Sequence, residues 1–420
     1  MRILVIQPQL PYPPDRGCYQ RNFHLVRQLA ARHDVDLLAF DEGGACMRHI
    51  EVFQEFCARV RVVPFRHPEW QSFFPQRALS SKPTTIAHWE SEDFQQAVDE
   101  MVERGGYDFA WVFDIVMAQY LVAEHPELPL ALDRSRVDLQ FQLSELKTLK
   151  LNVKDRILRW ENWLKLWRYE RRVSQHVRFQ TVCGEDDRTF IKRWIDGGAD
   201  VEVIGNGADL DCFRPEAAPV ARADDPTALF CGAMDYSPNA DALRWYFSKI
   251  HDRVRRKIPN LKILIVGRNP IPDVQAYDKL EGVTVTGEVN DVRPFYRRSW
   301  MQIVPLRIGC GTRLKIPESL AMGTPVLSTS IGAQGLDFKP EEEICVADHP
   351  LDFSGMMIRM LTSAPFRTSL EEMGLRAVRK RWSWNRFGQE LDRAIQRRRN
   401  RPTRPAMQPT ATQQMCPSPR

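Results

Sequence analysis

Short apolar runs recur along this chain with helix-length segments between them; the pattern halts in a Pro- and Ala-rich stretch from Arg214 to Pro226, then begins again. Before the break the runs are Arg2 to Ile6, Val35 to Phe40, Val60 to Pro64, Phe109 to Phe113, Leu128 to Leu132, Thr181 to Cys183 and Val201 to Ile204. After it they are Ala228 to Cys231, Lys262 to Val266, Val283 to Thr286, Gln302 to Val304, Pro325 to Ser328 and Ile344 to Val346. Runs too short for helices, alternating with segments of helical spacing such as Phe23, Leu25, Val26 and Leu29, specify a doubly wound parallel sheet of the α/β class. A chain of 420 residues exceeds what one core supports, so the restart reads as a second such sheet. The first domain is expected over 1–214 and the second over 227–381.

The segment Met301 to Leu327 carries the clearest chemistry. A buried strand (Ile303, Val304) leads into a turn bearing Gly309 and Gly311, then a short helix with Arg313, Lys315 and Glu318 in its first turns, then another apolar strand. Glycines let the backbone come close to a ligand, and N–H groups opening a helix attract anions. Arg313 and Lys315 add mobile positive charge, and Glu318 is an acceptor suited to the paired hydroxyls of a ribose. The set reads as a site for a nucleotide diphosphate, against the plainer reading of a tight strand-to-helix connection with a solvated basic face. In a parallel sheet the ligand lies beyond the carboxyl ends of the strands. Gly232, Gly267, Gly287 and Gly309 each follow a strand, and that convergence favours the site.

Three segments, Pro305-Leu306-Arg307, Gly311-Thr312-Arg313-Leu314-Lys315 and Glu318 to Val326, resemble the donor-site signature of GT-B glycosyltransferases of the family 4 type. Leu229 to Asn239, Ile263 to Arg268 and Val283 to Tyr296 are similar to the first three strands and turns of the donor domain in such enzymes. Tyr169 to Arg172 and Gly205 to Pro215 resemble the segments closing the first domain. Tyr12-Pro13-Pro14, Tyr107 to Phe113 and Met117 to Tyr120 look most like the sugar transferases of exosortase (PEP-CTERM) polysaccharide systems.

The resemblance implies two Rossmann-like domains facing across a cleft, with a helix over 382–397 crossing back to the first. It implies transfer from a UDP- or GDP-sugar to a glycan or polyprenyl-linked acceptor, retaining and without a metal, the donor phosphate itself taking the acceptor proton. The donor site then comprises Gly232, Asn239, Gly267, Arg268, Gly287, Val289, Gly309, Cys310, Gly311, Thr312, Arg313, Lys315 and Glu318. Many such enzymes carry a basic pair after the first donor-domain strand, whereas Met234 to Asn239 has no Lys or Arg, so Arg313 and Lys315 take more of that work. The family's E-x7-E pattern keeps its second glutamate as Glu318 and has Cys310 in place of the first. Asp133 and Asp138 match acidic positions of the exosortase-associated relatives and are candidate bases. Asp15, Arg16 and Gly17, in the loop after the first strand, are acceptor-side candidates, the alternative being a solvent loop with an Asp-Arg pair.

Composition excludes other classes. No apolar run approaches a membrane span. Nine scattered cysteines without a C-x-x-C pair argue against zinc and disulfides and for a reducing cytosol. Met1 to Ile6 is too short for a signal peptide. No two histidines have metal spacing, and His24 reads as packed. The net charge of +5 concentrates in residues 147–178 and in a basic tail over 398–420 that reads as disordered. In 147–178, Ile157, Trp160, Leu164 and Trp167 fall at helical spacing, with Trp163 close by, among Arg and Lys. That stripe either packs on the sheet or lies on an anionic membrane surface, and no nucleic-acid motif accompanies the charge. The expected location is cytoplasmic, on the inner membrane face if the stripe docks. Rival readings are an epimerase or hydrolase on the same fold, and a non-catalytic sugar-nucleotide-binding subunit.

Overall fold

The computed structural model describes residues 1–14, 17–42, 46–67, 80–148, 152–195, 198, 200–215, 222–309 and 312–398. Asp15, Arg16, Cys310 and Gly311 therefore lie outside the described residues, as does the tail beyond Arg398.

Two wholly parallel sheets form the frame. The first holds β1 (Arg2–Gln7), β2 (Asp34–Glu42), β3 (Arg59–Phe65), β4 (Phe109–Phe113), β5 (Leu130–Arg134), β6 (Phe179–Val182) and β7 (Asp200–Val203), in the order β3-β2-β1-β4-β5-β6-β7. The second holds β8 (Thr227–Cys231), β9 (Lys262–Val266), β10 (Val283–Gly287), β11 (Met301–Val304), β12 (Val326–Ser328) and β13 (Cys345–Val346), in the order β10-β9-β8-β11-β12-β13. Each is doubly wound, and its winding reverses between β1 and β4 or between β8 and β11. At such a reversal the connections leave in opposite directions, so a crevice opens beyond the strand ends. Helices cover both faces of each sheet, which is why β4 and β8 are buried along their whole length and read as unbroken apolar runs.

The last helix, Trp384–Arg398, packs on Gly17–Ala30 through Trp384, Phe387, Leu391, Ala394 and Ile395. His24 stacks on Trp384 with ring centres 4.8 Å apart, and His33 Nε2 meets Asp392 Oδ1 at 3.1 Å. Arg398, expected in the tail, belongs to this helix: it donates to Glu202 at 2.6 Å and Asp200 at 3.3 Å, fastening the helix end to β7.

The basic segment forms one helix, Val153–His176, but the expected stripe splits. Trp163 is buried, and Trp167 turns inward to donate its Nε1–H to the Trp194 carbonyl at 2.6 Å. Val153, Ile157, Trp160 and Leu164 remain in solvent, at 75%, 57%, 42% and 44% exposure.

Inside the first domain a charged pair takes a place normally apolar. Arg21 is fully enclosed and forks onto Asp133, with Nε to Oδ2 at 2.8 Å and Nη2 to Oδ1 at 2.6 Å. Its Nη1 donates to the Ile204 carbonyl at 2.8 Å and to Asn206 Oδ1 at 2.7 Å, and Asn206 Nδ2 reaches Thr312 Oγ1 in the second domain. Removing one member of such a pair strands a buried charge and costs about 3–5 kcal/mol. Asp133→Ala is therefore expected to lower the unfolding midpoint of the first domain in urea by that equivalent, and a loss under about 1 kcal/mol would contradict the assignment.

Candidate functional site

The turns after β8, β9 and β11 are shaped around contacts that no side chain tolerates. Gly232 has φ of 149°, and a Cβ there would come within 3.0 Å of Lys315 Nζ and 2.7 Å of Asn239 Nδ2. A Cβ on Gly267, also at φ 149°, would overlap the Gly232 carbonyl oxygen, so the two turns nest directly on one another. Gly309, at φ 138°, carries the Arg313 guanidinium against its backbone. Gly287, at φ 70°, borders open space at the end of β10.

Two cations converge on this floor. Lys315 donates from Nζ to Asn239 Oδ1 at 3.1 Å and lies 4.9 Å from the centre of the Phe230 ring. Asn239 is fixed by its own bond from Nδ2 to the Ala233 carbonyl at 2.8 Å. Burial pushes the Lys315 ammonium down, with the nearby Arg313 charge acting in the same direction. Thr312 bonds to Asn206 across the cleft, Val289 packs beside Tyr296, and the Arg268 carbonyl accepts from Met234 N at 2.9 Å. Arg307 is spent elsewhere, in a fork to Asp241 at 2.5 and 3.0 Å.

Glu318 is buried on the helix Lys315–Ala321 and accepts from Gln20 Nε2 of the first domain at 2.7 Å. Burial pushes its carboxyl up, against the pull of Gln20, Lys315 and the Tyr296 phenol. Tyr296 is tied in turn to Cys231 Sγ at 3.0 Å. Glu318 thus stands where the two domains meet. Other contacts close the same seam: Gly309 N donates to Ser144 Oγ at 3.3 Å, and Ser237 Oγ donates to Glu145 Oε1 at 3.0 Å. A Cβ on Gly17 would lie 3.8 Å from Leu314, so the start of that first-domain helix faces the donor loop.

The two candidate bases part company. Both oxygens of Asp133 are engaged by Arg21, and Thr181 donates to Oδ1 as well, so Asp133 positions the fold and is set aside as a base. Asp138 is buried and paired with Arg136 at 2.6 Å. Beside it lies a carboxylate that the sequence reading passed over. Asp114 follows β4 at the winding reversal in a left-handed conformation, φ 73°, which non-glycine residues adopt at a cost. Its N–H donates to the Asp133 carbonyl at 2.9 Å, and its carboxyl accepts from Ile115 N at 2.8 Å. Burial, reinforced by the Asp138 charge, lifts the Asp114 carboxyl to about 7. The signal was an acidic residue ending an unbroken apolar run. Gln20 and Tyr296 left no comparable trace.

Residues 225–363 match the family model "Glycosyl transferases group 1". A protein of the cps region of Klebsiella pneumoniae is 27% identical over 138 residues, which span 31% of this chain and 36% of that protein. Among solved structures, a sucrose-phosphate synthase from Thermosynechococcus elongatus superposes with a TM-score of 0.72 at 16% identity, covering 94% of this chain and 98% of the other. HepE from Anabaena, in complex with UDP and glucose, gives 0.66 at 11% identity over 94% and 100%. The TarM structure gives 0.69 at 11% identity over 95% and 99%. At such identities the superpositions speak for the fold, and the fold is GT-B, two Rossmann-like domains facing across a cleft. The family match lies within the second domain, which is therefore similar to the group 1 glycosyl transferases over residues 225–363.

Asp114 supplies a pH-dependent test. Its folded-state carboxyl stands above the ordinary value of about 4, so its favourable contribution is complete in acid and is lost as pH climbs through about 7. Asp114→Asn is expected to raise the melting temperature relative to the parent at pH about 8.5 while leaving it nearly unchanged at pH about 4. Equal shifts at both values would contradict the placement.

Proposed function

We propose that this chain is a glycosyltransferase that moves a sugar from a UDP- or GDP-sugar to a glycan or polyprenyl-linked acceptor, with retention and without a metal. The observation that carries the reading is the meeting of Lys315, Arg313 and Glu318 with the nested glycine turns at the seam between the domains. The close backbone approach admits a pyrophosphate, Lys315 and Arg313 neutralise the charge that develops on it, and Glu318 takes the ribose hydroxyls. As the bond from sugar C1 to the donor phosphate breaks, the acceptor oxygen bonds to C1 on the same face and its proton passes to the departing phosphate. Asp114 and Asp138, at the far wall, hold the acceptor hydroxyl or the donor sugar in place.

That structural relatives hold UDP, glucose or α-GlcNAc-glycerol supports a nucleotide-sugar donor and a glycan acceptor. The cps-region relative supports a place in exopolysaccharide or cell-envelope glycan synthesis, the exosortase-associated systems being the finer form of that reading. An epimerase, a hydrolase and a non-catalytic binding subunit are the readings to be excluded. Titration with UDP and GDP, paired with a measurement of sugar transferred to an acceptor against donor isomerised or hydrolysed, does so. Glu318→Ala is expected to weaken nucleotide binding by about 10- to 100-fold, the loss of one or two hydrogen bonds to a charged group, and to abolish transfer. Binding unchanged in Glu318→Ala would remove the ribose assignment.

The exposed stripe Val153, Ile157, Trp160 and Leu164 runs beside Lys154, Arg156 and Arg168, which are also in solvent. Apolar side chains bordered by cations suit an anionic bilayer surface, and no helix among the described residues is long and apolar enough to cross a membrane. We read this helix as a peripheral anchor at the cytoplasmic membrane face. Ile157→Glu with Trp160→Glu is expected to release the protein from phosphatidylglycerol vesicles in sedimentation. Equal sedimentation of parent and variant would contradict the anchor.

A further inference from the structure

The seam contacts at Glu318, Thr312, Ser144 and Glu145 each run through a side chain; one further contact does not. Gly184, between β6 and the helix Glu185–Trp194, lies against Gly335, on the loop after β12. A Cβ on Gly184 would stand 2.7 Å from the Gly335 Cα and 3.6 Å from its carbonyl carbon and oxygen. Gly335 is hemmed in again by the donor loop: its own Cβ would come within 2.9 Å of Thr312 Cγ2. Bare backbone of one domain meets bare backbone of the other.

Nothing local asks for glycine at position 184. Its φ of −152° and ψ of 167° are extended backbone that any residue adopts. It is also the N-cap of a ten-residue helix and makes no side-chain bond there, where Ser, Asp or Asn would satisfy one of the free N–H groups that open the helix. What leaves no room for a side chain is the other domain. Carbon atoms in ordinary contact lie about 3.5–4.0 Å apart, so a single methyl group at Gly184 calls for a shift of about 1 Å between the domains.

The contact lies close to the pivot of the cleft. The chain passes between the domains ahead of β8 and again ahead of the helix Trp384–Arg398, and the two passages run side by side: Ala208 N donates to the Trp382 carbonyl at 2.9 Å, and a Cβ on Gly207 would stand 2.5 Å from Trp384 N. Asn206, next to Gly207, bonds to Thr312, which in turn borders Gly335. The contacts through Ser144 and Glu145 stand on the helix Asp138–Thr148, which packs on the opposite face of the first sheet from Gly17–Ala30 and Trp384–Arg398. A small displacement beside the pivot therefore opens those contacts by more than itself.

We infer that Gly184 and Gly335 are positioning residues: their backbones form a stop that sets how far the cleft closes, and with it the distance from the donor floor to the far wall. The effect on rate rests on the glycosyl transfer proposed above; the stop itself does not. Reacting atoms displaced by about 1 Å lose about 100-fold in rate.

Amide hydrogen exchange without nucleotide tests the stop on Gly184→Ser, whose hydroxyl suits the helix cap, and on Gly184→Val. The Gly309 amide, which donates to Ser144 across the seam, is expected to exchange about tenfold faster in both variants, while β6 and Glu185–Trp194 exchange as in the parent. UDP is expected to bind both with an unchanged Kd, and kcat for transfer to fall about 100-fold at an unchanged donor KM. The stop is overturned if Gly309 exchanges alike in the parent and the folded variants, or if kcat holds in a variant whose Gly309 amide has become exposed. A parent that binds no nucleotide would instead strike the donor assignment and leave the exchange result standing, so the two ideas fail separately.

Discussion

A buried guanidinium holds this cleft together. Arg21 enters the first domain's interior from the helix Gly17–Ala30, and its desolvation is offset only because Asp133, the Ile204 carbonyl and Asn206 engage all three of its nitrogens. The consequence extends past the first domain. Asp133 sits near the end of β5 and its carbonyl orients Asp114; Asn206 hands the chain of bonds to Thr312, on the loop that carries Arg313 and leads into the helix opened by Lys315. A single enclosed charge thereby sets the height of the far wall of the cleft and the approach of the donor loop to it. An apolar substitute of the same volume would fill the space without specifying either.

The donor floor follows a different logic, that of exclusion. Gly232 and Gly267 are so closely nested that a methyl group on the second would collide with the carbonyl of the first, and the same crowding brings Lys315 to the surface of the turn. Lys315 is held by Asn239 and the Phe230 ring, contacts that orient its ammonium without neutralising it, whereas Arg307 is neutralised by Asp241. The difference separates a cation arranged for an anion from one that braces a helix.

Much of this was legible in the chain. The apolar runs located the strands to within a residue or two, since strands covered on both faces need uninterrupted apolar residues. The glycines Gly232, Gly267, Gly287 and Gly309, at or after the ends of β8, β9, β10 and β11, were visible because each takes a positive φ that other residues rarely adopt. Glu318 and Lys315 could be chosen from their spacing after the turn. What spacing cannot convey is which carboxylate is consumed by a partner far away in sequence: Asp133 looked like Asp138 until Arg21 was seen to claim it. Asp114 was missed because its distinction lies in burial, backbone conformation and a carboxylate neighbour, none of which is local in sequence. The tryptophans of the basic helix divide for a related reason: Trp167 shares the stripe's spacing and Trp163 lies close by it, and only the packing against Leu139 and Trp194 turns them inward.

The account stands on a nucleotide diphosphate lying across the nested turns, with its ribose at the domain seam. Amide hydrogen exchange with and without UDP reads that directly. Protection is expected at the turns after β8, β9 and β10 and through the segment from Gly309 to Glu318, leaving β2, β3 and the helix Ala364–Arg381 unchanged. Protection absent from those turns, or confined to the first domain, would contradict the account at its base.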